Sequence, residues 1–290
     1  MWLERGTSAF FAALRLSKKL SAREAEVIVV DPQPHMTYQP FLPEASAGNI
    51  SPRHAVVPLR RELRRCTIIS GEVTRIDHAN KKVTVETISG PAREVEYDHI
   101  LVAPGSVSRT LPIPGLREQG IGFKTIGEAI YLRNHFLDRL DVAATTTDAE
   151  TKKRALTFCF VGGGYAGIEL WPRWRTWSAP RSSTTPSSRR TRSGSCWSRR
   201  PSASCRRSAG HGAYAARQLR KRGIDMRLGT FLESCVDGNV KLSDGETFVT
   251  DTVVWTAGVK PSPMLANTDL PLGPRGHVNC LPTLQVADGD

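Results

Sequence analysis

The chain has 290 residues, 39% of them hydrophobic, and a formal net charge of +12 at pH 7. That length is enough for two domains with buried cores, and no apolar run reaches the roughly 20 residues that would span a bilayer. No early stretch combines a basic start, an apolar run and a cleavage site, so the protein is expected to be cytoplasmic or peripheral to a membrane.

The first third of the chain predicts a buried strand followed by antiparallel strands. The run "AEVIVVD" at 25–31 is apolar and β-branched, and "LRLSKKL" before it has the pattern of a helix end. Residues 66–106 alternate apolar and polar side chains around turn-rich stretches, which predicts antiparallel strands closing on a buried strand at 100–103. Gly105 ends that strand where the backbone has to turn sharply.

The later part of the chain alternates strands and helices. A capping-box spacing from Thr125 to Glu128 predicts a helix start, and "ALTFCFV" at 155–161 indicates a buried strand. After residue 210, "GAYAARQLRKRG" predicts a helix that ends at Gly223. The strand "IDMRLG" and a hairpin leading into the buried run "TVVWTAG" follow it. This alternation predicts a doubly wound α/β architecture.

Three glycines follow the strand "ALTFCFV" in the spacing G-x-G-x-x-G: Gly162, Gly164 and Gly167. Residues without side chains let backbone N–H groups at a helix start approach a pyrophosphate, and Gly167 lets the helix pack closely on the strand. The pattern favours a dinucleotide site. The alternative is a tight strand-to-helix turn without a ligand.

Two acids lie near predicted strand ends. Asp31 has the position of an acid that binds a ribose, although the same spacing fits a turn cap before Pro32. A glycine fingerprint should precede it, and "ERGTSA" at 4–9 keeps only Gly6 of such a pattern. Glu169 has the position of a residue facing a nicotinamide, and equally of a first-turn acid that favours the helix dipole.

The six cysteines form no C-x-x-C pair and show no metal-ligand spacing. The sequence therefore indicates neither a dithiol redox pair nor a metal site. Scattered thiols of this kind are typical of core positions.

Four ordered stretches together resemble the type II NADH dehydrogenases, which are single-chain flavoproteins. They are "VIVVDPQPHMTYQPFLPEASAG", "YDHILVAPGSVSRTLPIPG", "FCFVGGGYAGIEL" and "VVWTAGVKPSPML", and the resemblance covers the chain except residues 1–9 and 171–209. It implies an α/β fold of two Rossmann-like dinucleotide-binding domains, for FAD and NADH, the second nested in the first. The implied boundaries are 1–120 and 256–290 for the FAD domain, truncated at both ends, and 121–255 for the NAD(H) domain.

The resemblance also implies a function and a set of site residues. NADH would pass hydride to FAD, and electrons would then go to a membrane quinone at the inner face of the cell membrane. A homodimer is left open, and no nucleic acid is expected as a partner. Glu169 would lie near the nicotinamide as the catalytic residue, and the NADH pyrophosphate would rest on Gly162, Gly164 and Gly167. The FAD site would include Asp31, Gln39, Pro40, Ala103, Gly105, Ala257 and Gly258.

Residues 171–209, which we call the arginine-rich window, break this pattern. They hold ten Arg and no Lys, Asp or Glu, and they hold four of the six tryptophans without any Val, Ile, Leu, Met, Phe or Tyr. With a suitable choice of codons, a shift of one base would convert "WPRWRTW" to "MAEMEDM" and "CWSRRPSASCRRSA" to "VLVEATVGILPEVG", which would supply the missing helix and strand. The hypothesis is that the window is out of frame, so that this chain folds poorly and has little activity.

Two other functions stay open at this point. The window taken at face value is an Arg/Ser-rich insertion that binds nucleic acid or an acidic surface. The body of the chain also fits another NAD(P)H–flavin reductase with a different acceptor. The choice between NADH and NADPH is open, because the discriminating loop falls in the window.

Overall fold

The computed structural model describes residues 2–4, 7–162, 169–170, 173–174, 194–197, 214, 217–221 and 224–287. Within these ranges the α-helices are α1 (Thr7–Lys19), α2 (Leu42–Ser46), α3 (Leu59–Glu62), α4 (Leu116–Gln119), α5 (Ile126–Thr145) and α6 (Ala149–Ala155). The strands are β1 (Trp2–Glu4), β2 (Ile28–Asp31), β3 (His35–Thr37), β4 (Val56–Pro58), β5 (Thr67–Asp77), β6 (Lys82–Thr87), β7 (Arg93–Glu96), β8 (Leu101–Ala103), β9 (Ser106–Ser108), β10 (Gly120–Gly122), β11 (Phe158–Val161), β12 (Gly194–Trp197), β13 (Asp225–Leu228), β14 (Leu232–Ser234), β15 (Asn239–Leu242), β16 (Thr247–Val249), β17 (Thr252–Trp255) and β18 (Val259–Pro261). Residues 169–170, 173–174, 214 and 217–221 are helical as well.

The chain divides into two compact α/β units. Unit 1 comprises Met1–Tyr38, Val56–Val107 and Val259–Asp290, and unit 2 comprises Gln39–Ala55 and Ser108–Gly258. Unit 2 therefore lies between segments of unit 1 along the sequence, as the predicted nesting requires.

Unit 1 is built on a six-stranded sheet with the order β7-β6-β5-β2-β1-β8. Strand β1 pairs in parallel with both β2 and β8, and β2 pairs in parallel with β5. The antiparallel strands β6 and β7 extend the sheet at one side, as the alternating pattern predicts. The sequence analysis did not predict β1, which completes the β1–α1–β2 unit.

Both faces of this sheet are covered. Val29 packs with Phe10 and Leu63 in one hydrophobic cluster, and Val30 packs with Ile69 and Met264 in another. Neighbouring residues of a strand point to opposite faces, so the unbroken apolar run of β2 serves two cores.

Unit 2 contains a parallel sheet with the order β10-β17-β11. A parallel pair, β12 with β13, lies beside β11, and β14, β15 and β16 form a separate antiparallel sheet. All four residues of β11 are buried. Phe158 and Phe160 belong to one cluster, and Cys159 and Val161 belong to another, which explains the lack of alternation in "FCFV".

Helix α5 begins as its sequence predicts. The hydroxyl of Thr125 accepts from the backbone N–H of Glu128, and the Glu128 carboxylate accepts from the Thr125 N–H at 2.8 Å. This reciprocal capping box satisfies donors that the first helical turn leaves open.

The arginine-rich window contributes two described pieces to unit 2. Arg173 and Trp174 are helical, as are Glu169 and Leu170, and Gly194–Trp197 forms β12. The other residues of the window lie outside the described residues. The frame-shift interpretation therefore stays a hypothesis.

No helix among the described ranges is both long enough and apolar enough to cross a lipid bilayer.

Candidate functional site

In unit 1 the candidate site lies at the carboxyl edge of the parallel sheet. The register places Glu4 of β1 opposite Ala103 of β8, and Leu3 opposite Val30, one residue before Asp31. Ligands of α/β sheets bind outside the carboxyl ends of the strands. The structure thus brings Asp31 and Ala103 to one edge of the sheet.

Asp31 is only 4% exposed at the end of β2. One of its carboxylate oxygens, Oδ1, accepts from the backbone N–H of Gln33 at 2.7 Å. Asp31 therefore acts as the turn cap that the sequence left as an alternative, and this bond fixes the carboxylate at the strand end. The cap and a ribose contact are compatible, because a carboxylate has two oxygens and about four acceptor positions.

Gly105 lies two residues after β8 and has φ +64°. Residues other than glycine rarely adopt this left-handed region, so the sharp turn predicted from the sequence is present. A buried acid and a turn without a side chain at the same edge fit an adenine dinucleotide.

In unit 2 the candidate site lies where β11 and β17 end. Val161 pairs with Trp255, and the Val161 carbonyl accepts from both the N–H and the hydroxyl of Thr256, at 2.8 and 3.2 Å. The structure therefore brings Gly162 beside Ala257, two residues that the sequence analysis assigned to different cofactors.

Gly162 has φ +131°, and a Cβ added there would lie 2.4 Å from Thr256 Oγ1 and 2.7 Å from the Ala257 nitrogen. Close packing of two backbones thus requires glycine at this position, whether or not a ligand binds. Gly164 and Gly167 lie outside the described residues, so the structure gives no account of their predicted roles.

Gly258 follows with φ +82°, and its carbonyl accepts from the Arg109 N–H at 3.2 Å. The indole of Trp255 donates to the Arg109 carbonyl at 3.0 Å. These two bonds hold the backbone at Ala257 and Gly258 against the segment that follows β9.

The helical residue Glu169 is half-buried, and its carbonyl accepts from Arg173 Nη1 at 2.9 Å. The other guanidinium nitrogen of Arg173 forms a short ion pair with Glu44 Oε1. Within the described residues, Glu44 Oε2 is buried without a hydrogen-bond partner. This charged contact ties α2 to the helical segment after the glycine motif.

Trp174 is 1% exposed and packs against Phe136, with ring centroids 4.4 Å apart. Phe158 and Phe160 complete the same aromatic cluster, and the indole N–H lies 3.4 Å from Ser46 Oγ. Sequence reasoning missed Glu44, Arg173 and Trp174. The signal that could have identified Trp174 is its spacing of four residues from Leu170, which is also buried.

Gln39 and Pro40, predicted to lie beside the flavin, form an exposed 3₁₀ turn with Phe41 immediately before α2. They belong to unit 2. Phe41 is 44% exposed, so this turn carries apolar surface.

Four cysteines whose side chains the structure describes are not in disulfides: Cys66, Cys159, Cys235 and Cys280. Burial raises the pKa of Cys235 to about 11 and also raises the pKa of Cys66. Both therefore favour the thiol over the reactive thiolate at neutral pH. Among the described residues no group of three or more His, Cys, Asp or Glu side chains could hold a metal ion.

The comparisons with known proteins extend these observations. A family model described as pyridine nucleotide-disulphide oxidoreductase matches residues 8–290. The type II NADH:quinone oxidoreductase of Mycobacterium tuberculosis is 28% identical over 95% of this chain and 62% of its own length. The external alternative NADH-ubiquinone oxidoreductase of Yarrowia lipolytica is 32% identical over 53% of this chain and 28% of its own length.

Solved structures show the same fold. NDH2 from Plasmodium falciparum in complex with NADH has a TM-score of 0.76 at 16% identity, covering 92% of this chain and 56% of that one. The water-forming NADH oxidase of Lactobacillus brevis, bound to NADH, has a TM-score of 0.70 at 18% identity over 96% of this chain. The predicted class of two Rossmann-like parts is confirmed. The chain spans less than two thirds of the length of these relatives.

Proposed function

Because the chain belongs to the pyridine nucleotide-disulphide oxidoreductase family, we propose that it is an FAD-dependent NADH dehydrogenase that passes electrons to a membrane quinone. The observation that carries the proposal is the similarity to the mycobacterial type II NADH:quinone oxidoreductase along 95% of the chain. Two units of Rossmann type, each with a sheet edge suited to an adenine dinucleotide, support it.

Unit 1 supplies the adenosine end of the FAD site in this proposal. Asp31 binds the ribose hydroxyls through its carboxylate, and Ala103 and Gly105 allow close approach of the cofactor. Gln39, Pro40, Ala257 and Gly258 are the other proposed FAD-site residues. When bound, FAD supplies the acceptor for a hydride and a carrier of electrons.

Unit 2 supplies the NADH site. Gly162, Gly164 and Gly167 hold the pyrophosphate through backbone N–H groups at a helix start. Glu169, in the helical segment that Arg173 ties to Glu44, lies near the nicotinamide and orients it. Unlike the other residues, Glu169 is proposed for a role at the reacting atoms.

Quinone and a membrane surface are the proposed partners, at the inner face of the cell membrane, and a homodimer is consistent with the proposal. The proposed domains are residues 1–120 and 256–290 for FAD and 121–255 for NAD(H). The arginine-rich window is proposed to be out of frame, and the activity of this chain is therefore expected to be low.

The first test of the function is cofactor binding and turnover of the purified chain. We expect FAD to be retained, and NADH to be oxidised with ferricyanide and with a soluble quinone. Asp31→Ala should lower FAD retention at least ~10-fold, because it removes a charge-assisted hydrogen bond to the ribose. Asp98→Ala removes an exposed carboxylate of unit 1 and should bind FAD like the parent.

Equal FAD binding by the two variants, or failure of the chain with the restored frame to bind FAD, would contradict the proposed site. Turnover with ferricyanide but not with quinone would point to the alternative of another flavin reductase with a different acceptor.

The frame-shift hypothesis has a test of its own. Resequencing the genomic DNA across codons 165–215 should restore one base near codon 170 and remove one near codon 210. A chain with the restored frame should then show faster NADH oxidation than the chain as written. An unchanged DNA sequence would refute the hypothesis and favour a translated Arg/Ser-rich segment.

A further inference from the structure

One face of unit 1 is strongly basic and has no part in the proposed cofactor sites. Two segments form it: Arg15, Lys18, Lys19 and Arg23 come from α1 and the loop after it, and Arg61, Arg64 and Arg65 come from α3 and the residues that follow. We call these seven residues the basic face. All seven side chains are exposed.

Direct contacts hold the two segments together. Arg65 Nη2 donates to the Leu20 carbonyl at 3.0 Å, which caps the end of α1. Leu59 and Leu63 pack with Phe10 in a shared hydrophobic cluster, and Cys66 packs against it. The two segments that carry the basic face therefore lie side by side.

Charge is segregated within unit 1. Three acids accompany the basic face, and each has a local partner: Glu24 accepts from the Ser21 N–H, Glu26 from the Thr67 hydroxyl, and Glu62 pairs with Arg61. The rest of unit 1 contains eight Lys or Arg and eleven Asp or Glu, so it is net negative. Solvation alone does not require positive and negative side chains to be separated in this way. Binding to an anionic partner does favour a surface of positive charge.

An exposed aromatic side chain shares this face. Phe11 is 55% exposed and precedes Arg15 by four residues and Lys18 by seven, so the three lie along one side of α1. Cations with an aromatic group on one helical side are typical of surfaces that lie on a lipid headgroup layer. Single-stranded nucleic acids instead bind successive aromatic platforms, and Phe11 is the one exposed aromatic of α1.

We propose that the basic face docks on an anionic lipid surface, with Phe11 inserted among the headgroups. Its physiological meaning rests on the proposed membrane location of the quinone, but vesicle binding requires neither FAD nor NADH. A chain that does not bind vesicles would therefore leave the proposed NADH dehydrogenase activity untouched, and a chain without that activity could still bind vesicles.

The test is sedimentation of the full chain with vesicles of phosphatidylcholine, with and without ~30% phosphatidylglycerol. The variant Lys18→Gln/Lys19→Gln/Arg64→Gln removes three charges from the basic face. The matched control Lys81→Gln/Arg93→Gln/Arg275→Gln removes three exposed charges from elsewhere in unit 1. Because both keep the ten arginines of the window, their difference isolates the basic face.

We expect the first variant to bind anionic vesicles at least ~10-fold more weakly than the control, since each cation near such a surface contributes to binding. Phe11→Ser should also weaken binding to anionic vesicles, because it removes the aromatic ring proposed to insert among the headgroups. Circular dichroism should show both triple variants folded like the parent, because their changed side chains are exposed.

Equal vesicle binding by the two triple variants would overturn the proposal. So would binding that is independent of phosphatidylglycerol, or salt-sensitive binding of the basic face to RNA in place of vesicles. The dependence of vesicle binding on lipid composition and on salt is measured with the unsubstituted chain.

Discussion

Unit 1 and unit 2 present similar sheet edges, but they support them differently. In unit 1 the edge with Asp31 is part of a continuous hydrogen-bonded sheet of six strands. In unit 2 the edge with Gly162 belongs to a three-stranded sheet, and it depends on the close approach of Gly162 to Thr256 and Ala257. Beside it, Trp174 from the arginine-rich window completes the aromatic cluster. The comparison teaches that one site rests on strand pairing and the other on side-chain packing.

The largest expected effect comes from removing Trp174. Trp174→Ala should lower the free energy of unfolding of unit 2 by about 3–5 kcal/mol, because it leaves a cavity among Phe136, Phe158 and Phe160. Hydrogen exchange of peptides from each unit should show loss of protection in unit 2 and little change in unit 1. Tyr131→Ala, which truncates a ring that is 58% exposed, is the matched control. Equal loss of hydrogen-exchange protection in the two units would contradict the difference proposed between them.

A smaller effect should follow from a methyl group at Gly162. Gly162→Ala should destabilise unit 2 by about 3 kcal/mol, because the new Cβ combines an unfavourable φ with a collision with the backbone of Ala257. Gly245→Ala also has a positive φ, +89°, but no atom lies within 4 Å of the new Cβ, so about 1 kcal/mol is expected from strain alone. Urea denaturation measures the loss in free energy of unfolding for both variants. Equal losses would show that the close approach of Gly162 to Ala257 does not affect stability.

The smallest effect is a dependence on pH. Burial, followed by the charge of Arg139, lowers the pKa of His135 below its ordinary 6.5, while Asp251 and Asp138 oppose that shift. Between the two pKa values the unfolded chain then binds more protons than the folded chain. The contribution of neutral His135 to the free energy of unfolding is therefore present above about pH 6.5 and is lost as the pH falls through the lower pKa of the folded chain. His135→Gln should remove the dependence from unit 2.

Unit 1 provides the control for the pH experiment. Burial also lowers the pKa of His35, which belongs to unit 1. His35→Gln should therefore leave the pH dependence of unit 2 unchanged. If it altered that dependence, the two units would not respond to pH independently.

The sequence predicted those elements whose local patterns are strong. The apolar run before Asp31, the capping box at Thr125 and the buried run "FCFV" correspond to β2, α5 and β11. In each, local propensity and tertiary packing favour the same structure. The turn at Gly105 was predictable for the same reason, because its φ is one that glycine adopts readily.

Other features could not be predicted because their signal is not local. Strand β1 spans three residues and is defined by pairing with β2 and β8, which are distant in sequence. The contact of Arg173 with Glu44 joins residues 129 positions apart. Likewise, nothing in the sequence near Gly162 indicates that Thr256 occupies the space where a side chain would be. The ligand roles of these residues stay predictions.

The position of the central strands has a consequence for synthesis of the protein. In unit 1, β1 pairs with both β2 and β8 and precedes them in the chain, so each can add to it as it leaves the ribosome. In unit 2 the central strand β17 is the last of its sheet to be made, and β10 and β11 have no shared neighbour until then. A nascent chain that has passed β11 therefore exposes unpaired strand edges while some ninety further residues are added. Exposed edges of this kind promote aggregation, so we expect unit 2 to depend more on chaperones during translation than unit 1 does.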